Sequence, residues 1–332
     1  MPRLTASLVS TAITAFGLGA AGVLPAEPLF DPDSGPLTGL FGWPTSSEGS
    51  RLAQEGRNDW RLHASLASHS TSERANDESL VLDGETTQLW LDWRRGLSGR
   101  LEVGARIAWL RHAPGTLDSL IGDWHEFFGL PHGNRSAWPE DRLLFEYLQE
   151  ASGITRLEHR SEGVGDLRIY AGWALRESPD RRLALRLSLK LPTGDSDELL
   201  GSGSTDLSIG LAGDVSNLWT VEALSGFYRV SALYLGTPEI LRAHAQHFAG
   251  QLAAGLEYRF APGFAINAQT TVRSAPFDSA IDPLGEWAMS LTAGAAFRLP
   301  GNWRLQLGFN EDVTVESFPD ITFLATLSAP LY

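Results

Sequence analysis

The residues of this chain best able to do chemistry are charged, and they recur at a spacing of two. Arg100, Glu102 and Arg106 share one parity, as do Asp166 with Arg168 and Arg186 with Lys190; Glu257 and Arg304 follow the same habit in later segments. A spacing of two puts side chains on one face of a β-strand. Charges arrayed on such a face can do two things. Along a lumen they form rings that select solutes by sign, and an excess of arginine would attract anions. Between neighbouring strands they pair and brace the wall. The acids Asp92, Glu102, Asp166, Asp206 and Glu257 are numerous enough for the second role, so both readings stand.

A second group clusters in the segment 112–164. Leu117, Leu120, Ile121, Trp124, Phe127 and Phe128 recur at spacings of three and four, which predicts an amphipathic helix over about 117–129. Gly129 and Pro131 would end it. Asp118, Asp123, Trp124, His125, Glu126 and Arg135 would then stand near a pore mouth, as part of a plug or lid, or the helix would rest on the rim and do nothing for transport. No nucleophile is set beside a base by spacing, so no catalytic residue is expected. A lipid hydrolase would need Ser and His together on an outward wall, and His63, His69, His244 and His247 show no such motif. His125 and the His244–His247 pair make weak metal ligands, and the absence of cysteine removes thiolate zinc sites, disulfides and thiol nucleophiles. No metal and no cofactor is expected.

The elements that carry these residues are long alternating strands. Leu101, Val103, Ala105, Ile107 and Trp109 form one apolar row; Leu183, Leu185, Leu187, Leu189 and Leu191 form another; Leu207, Ile209 and Leu211 a third. Similar rows run to the C-terminus, through Leu252–Phe260, Ile266–Val272, Met289–Phe297, Trp303–Phe309 and Ile321–Leu327. Several runs alternate for about ten residues, the length a tilted strand needs to cross a bilayer and more than soluble strands usually reach. Short links at 95–99, 177–181, 216–218, 261–263 and 300–302 alternate with longer ones at 70–84, 112–164, 193–203, 235–245, 276–285 and 312–319. Short turns on one side, long loops on the other and an even strand number describe a transmembrane barrel. Many of the 11 tryptophans fall at strand ends, as the two aromatic belts at lipid–water interfaces require. The fold expected is therefore all-β: an antiparallel up-and-down transmembrane barrel of about 12 strands over 58–332. Such a sheet must close, because lipid offers no water to a free edge.

The N-terminus fits export. Arg3 precedes an uncharged apolar run, Leu4 to Leu24, and the pattern predicts a signal peptide over 1–26. Residues 27–57, broken by Pro28, Pro32, Pro36 and Pro44, read as an irregular periplasmic leader with room for part of it inside the lumen. Beyond the signal no apolar run is long enough for a membrane helix. The net charge of −14 argues against nucleic acid as a partner. The partners expected are outer-membrane lipid, the barrel-assembly machinery through a C-terminal strand ending on Tyr332, and small solutes.

The stretch from Asp118 to Pro131, followed by Gly133-Asn134-Arg135, resembles a family of uncharacterised Gram-negative outer-membrane barrels, the domain of unknown function 3187; Gly35-Pro36-Leu37 and Asn310-Glu311-Asp312 are similar to that family as well. The resemblance implies an outer-membrane barrel over nearly the whole mature chain and brings no activity. Leu191-Pro192-Thr193-Gly194-Asp195 also resembles a turn of barrels linked to uptake of aromatic compounds. The leading expectation is a pore for passive uptake of small solutes in the bacterial outer membrane, narrowed or gated by 112–164. A lipid hydrolase and a structural or surface-interaction barrel with a closed lumen are the alternatives.

Overall fold

The computed structural model describes residues 26–115, 142–149, 153–313, 319 and 321–329. Its strands, in chain order, are β1 Asn58–Ala75, β2 Glu78–Ser98, β3 Leu101–Ala113, β4 Leu144–Gln149, β5 Gly153–Leu157, β6 Ser161–Val164, β7 Leu167–Glu177, β8 Arg181–Leu191, β9 Asp206–Val215, β10 Leu224–Tyr234, β11 Phe248–Ala261, β12 Phe264–Arg273, β13 Ala288–Arg298, β14 Arg304–Asp312 and β15 Ile321–Ser328. Leaving aside β4, β5 and β6, these form a closed antiparallel barrel of twelve strands. The last strand seals the first: Arg61 faces Ser328 and Ser68 faces Ile321. The expected signal peptide and the helix of 117–129, with Asp118, Asp123, Trp124, His125, Glu126 and Arg135, lie outside the described residues.

The wall is inside-out relative to a soluble protein. On β9, Leu207 and Ile209 are each 50% exposed while Asp206 and Ser208 are 2% and 4% exposed. On β8, Leu187 faces out and Arg186 and Lys190 are buried within. The apolar rows point away from the barrel because its exterior meets hydrocarbon, whereas polar side chains satisfy one another in the lumen. One end carries tight connections such as Ala261–Phe264 and is called the turn end; the opposite end, with the long links, is the loop end. Rings gather at the turn end: Tyr258, Phe260, Phe264 and Phe297 contact in sequence at centroid distances of 4.7, 5.9 and 5.3 Å.

Two links differ from expectation. The stretch 70–84 is no loop: β1 and β2 run on as a hairpin of 18 and 21 residues whose strands meet at Ala75 opposite Glu78. Both faces of that extension are mostly polar, so no apolar row marked it as strand. Within 112–164, β4 and β5 form a second hairpin that pairs with the top of β2, and β6 pairs with β3, so the described part of this segment builds the wall upward.

Candidate functional site

The segment 27–57 runs inside the barrel. Its first limb climbs beside β12, whose inward side chains address it in fixed step. The Asn267 amide donates to Glu27 O at 3.2 Å. Gln269 accepts from Leu29 N at 2.9 Å and donates to Leu29 O at 3.1 Å. The Thr271 hydroxyl donates to Asp31 at 2.6 Å, and Arg273 pairs with Asp33 at 2.8 Å. Every partner is 240 positions further on, which is the signature of an extended segment parallel to the strand. Burial pushes the Asp31 carboxyl up, against the opposing influence of Arg229 and the bond from Thr271.

At the loop end the segment reverses. Asp33 accepts from Gly35 N at 2.9 Å and from the Thr38 hydroxyl at 3.1 Å, holding a short turn over Thr38–Leu40. Gly39 is required there, since a Cβ would lie 2.4 Å from Asp33 O. Leu37, Leu40, Phe41 and Trp43 then bury among Leu80 and Leu82 of β2, Phe145 and Tyr147 of β4, Leu233, and Phe277 with Ile281 from the link before β13. An apolar cap closes over the mouth.

The second limb descends through a column of arginines. Arg168 donates to Trp43 O at 2.7 Å and Phe41 O at 2.8 Å. Arg229 reaches Pro44 O at 3.1 Å, and Arg106 pairs with Glu48 at 3.2 Å while bonding Thr45. Lower down, Arg186 donates to Gly49 O, Arg94 to Arg51 O at 2.9 Å, and Glu102 accepts from Ala53 N. Main-chain bonds to the wall begin only where the segment leaves the lumen, with Gly56 N donating to Gly96 O at 2.9 Å. Among the described residues, none joins 27–54 to the wall. Within the lumen, side-chain groups make every hydrogen bond between 27–54 and the described wall. Beside Arg61, Arg94 and Arg229 a cavity of about 40 Å³ remains, room for about three waters.

Of the residues expected to line a lumen, Glu102, Arg106, Asp166, Arg168, Arg186, Lys190, Glu257 and Arg304 all point inward and are buried. They do not form a common open ring. Glu102 pairs with Arg186 and lies 3.8 Å from Arg94. Lys190 sits between Asp166 at 2.7 Å and Asp206 at 3.3 Å, and Asp166 also accepts from Gly194 N at 2.9 Å, which gives the 191–195 turn a structural task. Glu257 pairs with Arg304 at 3.0 Å. Arg100 is a correction: it stands exposed in the tight turn between β2 and β3, one step beyond the strand whose parity it shares. Spacing did not reveal Arg229, Gln269 or Thr271, although Phe227, Arg229 and Ser231 alternate with the outward Tyr228 and Val230 on β10.

One cluster has the composition of a hydrolase site. The Ser47 hydroxyl lies 3.3 Å from His63 Nε2, and Asp92 lies 3.8 Å from the same nitrogen. A relay needs the acid on the opposite ring nitrogen; here His63 Nδ1 meets the Thr326 hydroxyl at 2.9 Å. Phe30 stacks on the imidazole at 3.8 Å. The group is packing, not a triad.

No curated protein matches the chain. A family described as "Protein of unknown function (DUF3187)" matches residues 20–329. The chain belongs to this family. Among solved structures this DUF3187 barrel is similar to the COG4313 outer membrane channel from Pseudomonas putida F1, at 14% identity and a TM-score of 0.54, covering 84% of this chain and 97% of that one. At this identity the likeness shows a shared barrel fold and nothing more. Weaker likenesses are to the NanC porin, at 8% identity and a TM-score of 0.47 over 82% of this chain and 99% of that one, and to a Pseudomonas aeruginosa FadL homologue, at 10% and 0.41 over 94% and 100%.

Proposed function

We propose that this protein is an outer-membrane channel for small solutes, shut in the conformation described by its own leader, with the turn end in the periplasm and the loop end outside. The observation that carries the reading is the manner of attachment. The barrel's main-chain ladder closes without the leader, whose residues 27–54 are held by side-chain bonds and ion pairs. Such a segment can leave the lumen without breaking one wall hydrogen bond, which suits a gate. In this reading the leader, tied at both ends of the lumen, takes the gating part that spacing suggested for 112–164, whose described residues contribute Phe145, Tyr147 and Leu157 to the apolar cap.

Planar-bilayer recording tests the proposal. Full-length mature protein should show rare openings, and a Glu27→Gln/Asp33→Asn/Glu48→Gln variant, which weakens three leader–wall pairs, should open far more often. A second reading, a closed structural barrel, draws on how fully leader and wall satisfy each other. Silence from both proteins, each verified as folded by heat-modifiable migration, would favour it and end the channel reading.

A further inference from the structure

The wall charges divide into two kinds. Arg94, Arg186, Lys190, Arg182 and Arg304 each have a carboxylate of the wall itself within ion-pair distance. Arg61, Arg106, Arg168 and Arg229 do not, among the described residues: their ion-pair and main-chain carbonyl partners all belong to the leader, and Arg229 in addition reaches the Gln251 amide oxygen of β11 at 3.2 Å. Arg61 pairs with Glu27 and Arg106 with Glu48, Arg168 grips Phe41 O and Trp43 O, and Arg229 holds Pro44 O. Arg61 lies near the foot of β1, Arg106 of β3 faces Arg168 of β7 in register, and Arg229 lies in the middle of β10, so the four line the lumen on several sides. Trp90 supports two of them, lying 5.5 Å from the Arg106 guanidinium and 5.1 Å from that of Arg168. Asp92, the wall acid between Arg61 and Arg106 in register, takes the Tyr170 hydroxyl and lies 3.8 Å from His63, and it acts on both arginines from beyond ion-pair distance.

We propose that the four arginines are the permeation path of the open channel, that the path selects small organic and inorganic anions, and that the leader's carboxylates and carbonyls occupy the places such anions would take. This rests on the channel reading above and names its solute class. The physical reason is one of exchange. Removing the leader would leave four guanidinium groups in the lumen with no carboxylate at ion-pair distance, where a lost partner is costly unless replaced. A permeating carboxylate can replace Glu27 or Glu48 in turn, and the fork of Arg168, aimed at two acceptor oxygens, is shaped for it. The walls around Arg94, Arg186 and Lys190 balance themselves and would not compete.

The test uses the full chain carrying Glu48→Gln, recorded in planar bilayers under a potassium chloride gradient and then with potassium acetate replacing one side. The reversal potential should show chloride and acetate more permeant than potassium. Adding Arg106→Gln or Arg168→Gln should bring the ratio toward one while conductance persists, and Arg168→Lys should largely keep it. Open channels that are non-selective or prefer potassium would overturn this inference and leave the channel reading intact. Silence in every folded variant would overturn both. Should the arginine variants not fold, the ratio measured with the native wall still decides the matter.

Discussion

Glu27, at the foot of the leader, gives the docking of that segment a pH signature. Its carboxylate enters the lumen at the turn end, paired with Arg61 of β1 and 3.8 Å from Arg304 of β14, with Arg94 of β2 and the leader's own Arg51 further off. Glu257 of β11 faces it and accepts from its main-chain N–H at 3.3 Å. Burial opposes ionisation of Glu27, yet Arg61, Arg304, Arg94 and Arg51 outweigh it and hold the carboxyl at about 2, against 4.5 ordinarily. At about 1.4 kcal/mol for each pH unit, docked and released leader differ by about 3.5 kcal/mol in their preference for the charged form, a factor of about three hundred. The docked value is the lower one. The stabilisation is therefore complete above pH 4.5, fades as the pH falls toward 2, and is absent below. Hydrogen-exchange protection of the amides around 28–31 reads this directly. Glu27→Gln should lower protection by about two to three hundredfold at pH 7, and the native chain should converge on the variant as acid approaches pH 2. Equal protection at pH 7, or a gap that does not close in acid, would refute the reasoning.

Other outcomes follow from the same geometry. Val230 stands outward at the middle of β10 and is 52% exposed, so Val230→Arg should cost about 2–4 kcal/mol of folding stability in a bilayer, measured by urea titration in vesicles, where a water-facing site would lose almost nothing. Lys190→Met would leave Asp166 and Asp206 buried without their cation, and should lower stability by about 3–5 kcal/mol in the same titration. A Cβ on Gly104 would meet the Tyr170 ring at 2.4 Å and Trp93 O at 2.7 Å, so Gly104→Val should shrink the heat-modifiable folded band on a gel.

Much of the barrel was legible because its signal is repeated. Rows such as Leu207-Ile209-Leu211 fix which face meets lipid, and short turns like Ala261-Pro262-Gly263 fix where strands reverse, so the twelve-strand wall emerges from many weak observations that agree. The upper hairpin of β1 and β2 escaped because it stands beyond the apolar band and has no greasy row to declare it. The leader was expected, with room for part of it in the lumen, but its path and its partners were not legible, for a different reason. An extended segment held by side chains from β12, β3, β7 and β10 has no period of its own, and its partners lie far away in sequence, 240 residues in the case of Leu29 and Gln269. A hint was present: Leu29, Phe30, Leu37, Leu40, Phe41 and Trp43 are too apolar for a chain meant to hang in water. Parity recognised Arg106, Arg168, Arg186 and Arg304 but missed Arg229 and misplaced Arg100, and it cannot tell an open ring from a clasp. That distinction came from seeing Arg168 and Arg229 on leader carbonyls.

The most direct test of a leader that fills and shuts the lumen exploits the absence of native cysteine. Asp31 and Thr271 touch at 2.6 Å across the leader–wall boundary, so Asp31→Cys/Thr271→Cys should form a single disulfide tether. In planar bilayers the oxidised protein should stay closed, and channel openings should appear on adding reductant. The same current before and after reduction, with the tether confirmed by mass, would contradict the account.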